Sequence, residues 1–271
     1  MMNKYILIVL YLCYPIFFFA QDDISKNNNE ILFGLGYMEY MNTRSIPSGL
    51  PGTVYRLEYN NEKSSEKHTN LKYGFFAQMN YSQLLKHDFI SDFPYHHGEL
   101  ALGGLFLQKI SNPIPHFDME AGLGLSFNAL TGKNYSRMAD LHLNSYGYWL
   151  ISPDLYLNFY FQINKIKVKT GFYLPLTVYG FYPEYQYIPT NYKNLKSEIK
   201  YYCTPNSFAF MTDYFCFYCM IAASYKLHET PKSVYNISLK YSYQSLKSNI
   251  HYYTEQKQRN ILSLGFQILR K

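Results

Sequence analysis

Charge is scarce in this sequence: Asp, Glu, Lys and Arg make up only 16% of its 271 residues, against about 25% in ordinary soluble chains. The excess of basic residues is small, a formal +6, and no dense Lys/Arg block marks a nucleic-acid surface. Tryptophan occurs once and cysteine four times. With Cys13 inside the leader-like segment described below, Cys203, Cys216 and Cys219 remain. Cys216 and Cys219 have CxxC spacing, but they lie in an alternating run that sends them to opposite faces of a strand. No second CxxC follows, so zinc or redox chemistry has no ligand set. No glycine loop for phosphate, GxSxG elbow or HExxH is present, and no cofactor is expected. Beyond the first twenty residues no stretch approaches the ~20 apolar residues of a spanning helix.

What the sequence has instead is aromatic and alternating. It carries 31 Tyr and 20 Phe, and aromatics reach 19% of the chain. Residues 119–128, MEAGLGLSFN, place Met119, Leu123, Leu125 and Phe127 on one face and Glu120, Gly122, Gly124 and Ser126 on the other. The same period of two recurs at 53–60, 71–82, 155–163, 166–176, 234–243 and 261–268. It recurs more weakly at 31–41, 96–110, 142–151 and 210–227. Period two over segments this long is strand. The expectation is an all-β protein, a closed antiparallel up-and-down transmembrane β-barrel of about ten to twelve strands, each near the 9–11 residues that cross a bilayer. The Tyr- and Pro-rich segment 178–206 reads as a long loop, with an irregular strand as the other option.

The composition of the second face decides between a soluble and a membrane barrel. A soluble barrel would turn Lys, Glu, Asp and Thr to water. Here that face is largely Gly, Ser, Asn and Gln, groups that suit a narrow lumen, while bulky Leu, Phe and Tyr fill the other. The greasy face is therefore expected to meet lipid, and closure to satisfy its backbone hydrogen bonds. A soluble lipocalin-like binder is the alternative.

The first residues, MMNKYILIVLYLCYPIFFFAQDD, have a basic start at Lys4, an apolar run and a small residue, Ala20, before Gln21. This is the layout of a secretory signal peptide over residues 1–20, cleaved to leave a single barrel domain over 21–271. Together these features resemble bacterial outer-membrane β-barrel proteins. The final strand, with Leu262, Leu264, Phe266 and Ile268, resembles the C-terminal strand that the barrel-assembly machinery recognises, although Leu269-Arg270-Lys271 follow in place of a terminal aromatic residue. The resemblance implies an outer-membrane location, with the bilayer and that machinery as partners and no nucleic acid.

Candidate chemistry is sparse. His97 and Glu99 share the lumen face, and a His beside a carboxylate can serve as a general base. Some outer-membrane barrels are lipid hydrolases, but their motif sets a Ser near the His, and here none follows before Ser111. Asp118 and Glu120 also face the lumen, as do Lys167, Lys169 and Lys240, and cross-lumen ion pairs are expected among them. The favoured reading is a non-enzymatic barrel, either a narrow pore or a structural, surface-binding one. A membrane-embedded hydrolase of phospholipid or lipid A is the alternative.

Overall fold

The computed structural model describes residues 27–42, 46–65, 70–85, 95–110, 117–134, 144–163, 165–181, 204–250 and 254–270. The signal-peptide expectation for residues 1–20, Cys203 and most of segment 178–206 lie outside them.

Twelve strands form one sheet. They are β1 (Asn27–Asn42), β2 (Ile46–Ser64), β3 (Leu71–Leu84), β4 (Tyr95–Ile110), β5 (Phe117–Asn134), β6 (Asn144–Ile163), β7 (Ile166–Pro175), β8 (Thr177–Phe181), β9 (Ser207–Phe210), β10 (Tyr214–Glu229), β11 (Ser233–Ser248) and β12 (Glu255–Arg270). Neighbours pair antiparallel in chain order, and β1 pairs with β12, which closes the barrel. β8 continues β7 along β6, and β9 pairs with β8 just ahead of β10. The result is a ten-strand barrel with two short extensions at one rim.

Register fixes its dimensions. From Ile166, registered partners run Tyr225, Ile237, Phe266, Ile31, Tyr59, Ala77, Leu102, Phe127 and Ile151, and return at Tyr179. Setting aside the extra residue Leu176 at the β7–β8 bend, the ladder has climbed twelve residues in one circuit. Ten strands at that stagger give a tilt of about 40° and a backbone radius of about 10 Å. Every residue of the ring is apolar or aromatic and none is buried. Such a ring needs no charged partner.

The outward side of the whole barrel repeats this. On β1, Ile31, Phe33, Leu35 and Tyr37 all point out, Phe33 with 66% of its surface exposed. Leu123, Leu125, Leu239, Leu262 and Leu264 do the same on other strands, while Glu120, Ser126, Lys240 and Ser263 between them are buried inside. Outward Asp, Glu, Lys and Arg whose side chains are described sit only near strand ends, at Glu39 and Lys247 by one rim and Lys63 and Arg270 by the other. The outward row of β1 between Asn29 and Glu39 carries no charge and, so tilted, is about 25 Å tall. Aromatic side chains gather at both limits: Tyr73, Phe106 and Phe161 below, Tyr37, Tyr55, Tyr81 and Tyr179 above.

Several segments extend beyond their expected limits. Strands of 14 to 20 residues replace the expected 9–11 along most of the barrel, because pairing continues past the apolar band into both rims. Residues 142–151 and 155–163 are one strand, β6, running through Pro153. Pro153 accepts from Leu176 N–H at 2.9 Å and has no N–H to return, and the ladder shifts there by one residue, which is where a proline is tolerated. The Pro- and Gly-containing residues 46–52 belong to β2, since Pro51 O accepts from Leu85 N–H at 2.7 Å and its missing donor falls where β3 has ended. Segment 178–206 opens with strand β8, and Ser207 begins β9.

Both termini share one rim with the connections 65–70, 111–116, 164–165 and 230–232, whereas 43–45, 85–94, 135–143, 182–206 and 249–254 join strands at the other, so the three longest connections lie together at that second rim. We call these the terminal rim and the loop rim.

Inward glycines make room for rings. A Cβ on Gly124 would lie 2.5 Å from the Tyr156 ring and 2.7 Å from Gly104 O. Gly124→Val is expected to lower unfolding stability by about 1–3 kcal/mol through overpacking. Urea titration in detergent checks this, and an unchanged midpoint would contradict the packing.

Candidate functional site

The interior is layered along the barrel axis, and each layer follows from the inward residues of the alternating strands. At the terminal rim, Lys169 on β7 reaches Glu62 on β2, Nζ to Oε1 at 2.7 Å. These strands are five apart in a ring of ten, so this pair spans the bore. Lys72 pairs with Glu120, whose Oε2 accepts from Tyr160 O–H at 2.9 Å. Lys72 and Lys169 ammoniums lie 5.0 and 5.5 Å from the Tyr160 ring centre, a cation–π distance. Lys109 and Asp118 pair at 2.6 Å, partly in solvent.

One layer in, Lys240 pairs with Glu58. Glu58 also accepts from Asn60 at 2.8 Å. Arg56 donates to Asn80 at 2.9 Å and to Ser242 at 2.8 Å, across the β11–β2 side of the bore. The facing wall is aromatic, with Tyr156, Tyr173 and Tyr218 in a stack of centroid spacings 5.6 and 4.9 Å.

Deeper still, Glu99 receives Lys257 and, at 2.5 Å, Arg259. Asn80 Nδ2 donates to the same carboxylate at 3.2 Å. His97 is fully buried, its Nδ1 3.6 Å from Glu99 Oε1 and its ring 5.0 Å from that of Tyr40. Above this level two apolar clusters fill the loop-rim end. One holds Met38, Tyr40, Leu84, Tyr95 and Ile261, the other Leu130, Tyr148, Leu150, Tyr214 and Leu246. Tyr148 O–H donates to Glu255 at 3.3 Å, linking the clusters' sides. Between rim and floor lies a cavity of about 740 Å³, bounded by Lys109, Asp118 and Arg270 at its mouth and by Glu99, Lys257 and Arg259 at its floor.

The polar side is inside and the apolar side outside. This is an inside-out barrel. No protein-family model matches the chain, and no curated protein is similar to it in sequence. Similar solved structures are outer-membrane barrels. The outer membrane protease OmpT from Escherichia coli is 10% identical, with 90% of this chain and 96% of that one covered and a TM-score of 0.44. The translocator domain of the autotransporter NalP from Neisseria meningitidis is 6% identical, with 98% and 96% covered and a TM-score of 0.41. The β domain of the Bordetella autotransporter BrkA is 8% identical, with 92% and 100% covered and a TM-score of 0.42. No residue role is carried over from them.

The expected site residues fall as follows. His97 and Glu99 come together inside the bore. Both Glu99 oxygens are held by cations, and neither His97 nitrogen has a hydrogen-bond partner among the described residues. Ser82 is registered opposite His97 across β3 and β4, a neighbour that spacing along one strand could not show. Its hydroxyl, however, is directed to Met38 Sδ at 3.9 Å. Among the described residues no nucleophile–base pair forms at His97, which with Glu99 faces the lumen, away from the apolar surface. Asp118 and Glu120 are neutralised by Lys109 and Lys72, not by Lys167, Lys169 or Lys240. Lys169 and Lys240 bind Glu62 and Glu58 instead, and Lys167 is exposed at the terminal rim. Cys216 points in and accepts from Gln244 at 3.3 Å, and both it and Cys219 are free thiols. Sequence reading singled out neither Lys257 nor Arg259 on β12, nor Arg56 and Glu58 on β2, as site residues.

Proposed function

We propose that this chain is an integral barrel of the bacterial outer membrane with a bridged, non-conducting bore, which acts through binding rather than as an open pore. The observation that carries this reading is the pairing of an uncharged outer band with a lumen crossed at successive levels by Lys169–Glu62, Lys240–Glu58 and Glu99 with Lys257 and Arg259. An outer band about 25 Å tall is the height that outer-membrane barrels present to lipid. The terminal rim would face the periplasm, and the loop rim, with the three longest connections, the exterior. A bore of this radius fills readily with side chains, and here the loop-rim end holds apolar clusters. The second reading, a lipid hydrolase at His97 and Glu99, has no hydroxyl directed at the histidine among the described residues.

Planar-bilayer recording of the refolded, purified protein tests the closed bore. The expected trace stays at background. Regular steps of porin size would reject the closed bore and favour the narrow-pore alternative.

A further inference from the structure

The inner end of the lumen holds more cationic side chains than carboxylates, Arg56, Lys240, Lys257 and Arg259 against Glu58 and Glu99. Arg56 and Arg259 are 3% and 2% exposed, yet Arg56 Nη2 and Arg259 Nε have no acceptor among the described residues. His97, also buried, has neither ring nitrogen partnered among the described residues. The nearby carboxylates are largely engaged, and only Glu58 Oε2 is without a hydrogen-bond partner among the described residues. Glu99 serves Lys257, Arg259 and Asn80. Glu58 is held by Lys240 and lies 3.8 Å from Arg56 Nη1, beyond hydrogen-bond reach. The other lumen carboxylates are engaged: Glu62 and Glu120 with mouth lysines, Glu30 with Asn60, Asp154 with Ser152 and Tyr156, and Glu255 with Tyr148. A guanidinium left short of acceptors in a low-dielectric interior is costly. A ligand that brings only acceptors would relieve it.

We propose that the cavity floor is a binding site for a small organic oxyanion, a carboxylate or phosphate group held by Arg259 and Lys257. Its uncharged body lies in the cavity against the stacked Tyr156, Tyr173 and Tyr218. Arginine forks match the planar or trigonal oxygens of both groups. Arg259 and Lys257 line the cavity directly. The chamber, about 740 Å³, is of ordinary size for a small-molecule site. Its mouth is at the terminal rim, so the ligand enters from that side.

Calorimetric titration of the folded barrel in micelles tests this with four probes on one aromatic body: benzoate, phenyl phosphate, benzyl alcohol and benzyltrimethylammonium, at matched ionic strength. Binding of benzoate, phenyl phosphate or both, with neither the alcohol nor the cation binding, supports the site. The stronger of the two anions identifies the headgroup. Arg259→Gln is expected to weaken that binding by about tenfold or more, and Glu99→Gln, which removes the competing carboxylate, to tighten it by a similar factor. If Arg259→Gln fails to fold, the Glu99→Gln direction decides. The proposal is overturned if neither anion binds, if benzyl alcohol binds as well as the anions, or if folded variants bind like the parent. Because the titration needs only a folded barrel, its failure would leave the membrane reading standing.

Discussion

Arginine in place of Phe33 is expected to prevent stable insertion or to lower the folding free energy in lipid bilayers by about 2–4 kcal/mol. Phe33 lies mid-way along the outward row of β1, flanked by Ile31 and Leu35 and with 66% of its surface uncovered. In a bilayer an arginine there would have to place its charge in hydrocarbon, far from either rim. On a water-facing barrel the same change would remove an exposed ring and improve solubility. The two environments thus give effects of opposite sign. Denaturant titration of refolding into vesicles measures the difference. A variant as stable as the parent in lipid would contradict the orientation of the barrel wall.

The second large effect is expected at Glu99. Leucine at this position would leave Lys257 and Arg259 buried beside each other with no carboxylate between them. Removing one partner from a buried ion cluster costs about 3–5 kcal/mol, because the stranded charges keep their desolvation penalty. The loss should be larger here than for Asp118→Ala, whose pair with Lys109 is partly in solvent and is worth at most about 1 kcal/mol. Unfolding titrations of both variants in the same micelles check the ranking. Equal losses would show that the interior cluster is open to water and screened. A Glu99→Leu barrel that gained conductance would show that this cluster also seals the bore.

Much of the barrel was legible from alternation alone, because a period of two assigns faces without knowledge of partners. Leu123 and Leu239 point outward and Glu120 and Lys240 inward, as their parity indicates. Ion-pair partners were not legible, since they depend on register and stagger. Lys169 meets Glu62 only because the barrel closes so that β7 and β2 face each other. Arg56 and Glu58 did alternate visibly with Tyr55, Leu57 and Tyr59, and that parity marked them as inward. On β12 the run EQKQRN is polar at every position, so no parity separated inward Lys257 and Arg259 from outward Gln256 and Gln258. Pro153 split β6 in the sequence because a missing N–H reads as a break, whereas pairing resumes after a one-residue shift. Ser82 escaped notice beside His97 because they lie on different strands.

The orientation of the outer wall is tested most directly by spin labels placed one at a time at positions 31, 33, 35 and 37 on β1 and at the cavity-lining Ala222 on β10, in a background with its cysteines replaced by serine and reconstituted in vesicles. Labels at 31, 33, 35 and 37 are expected to collide readily with oxygen and poorly with a water-soluble nickel chelate, while the label at 222 is shielded from the lipid. High chelate access along the odd positions would contradict a membrane-facing outer wall.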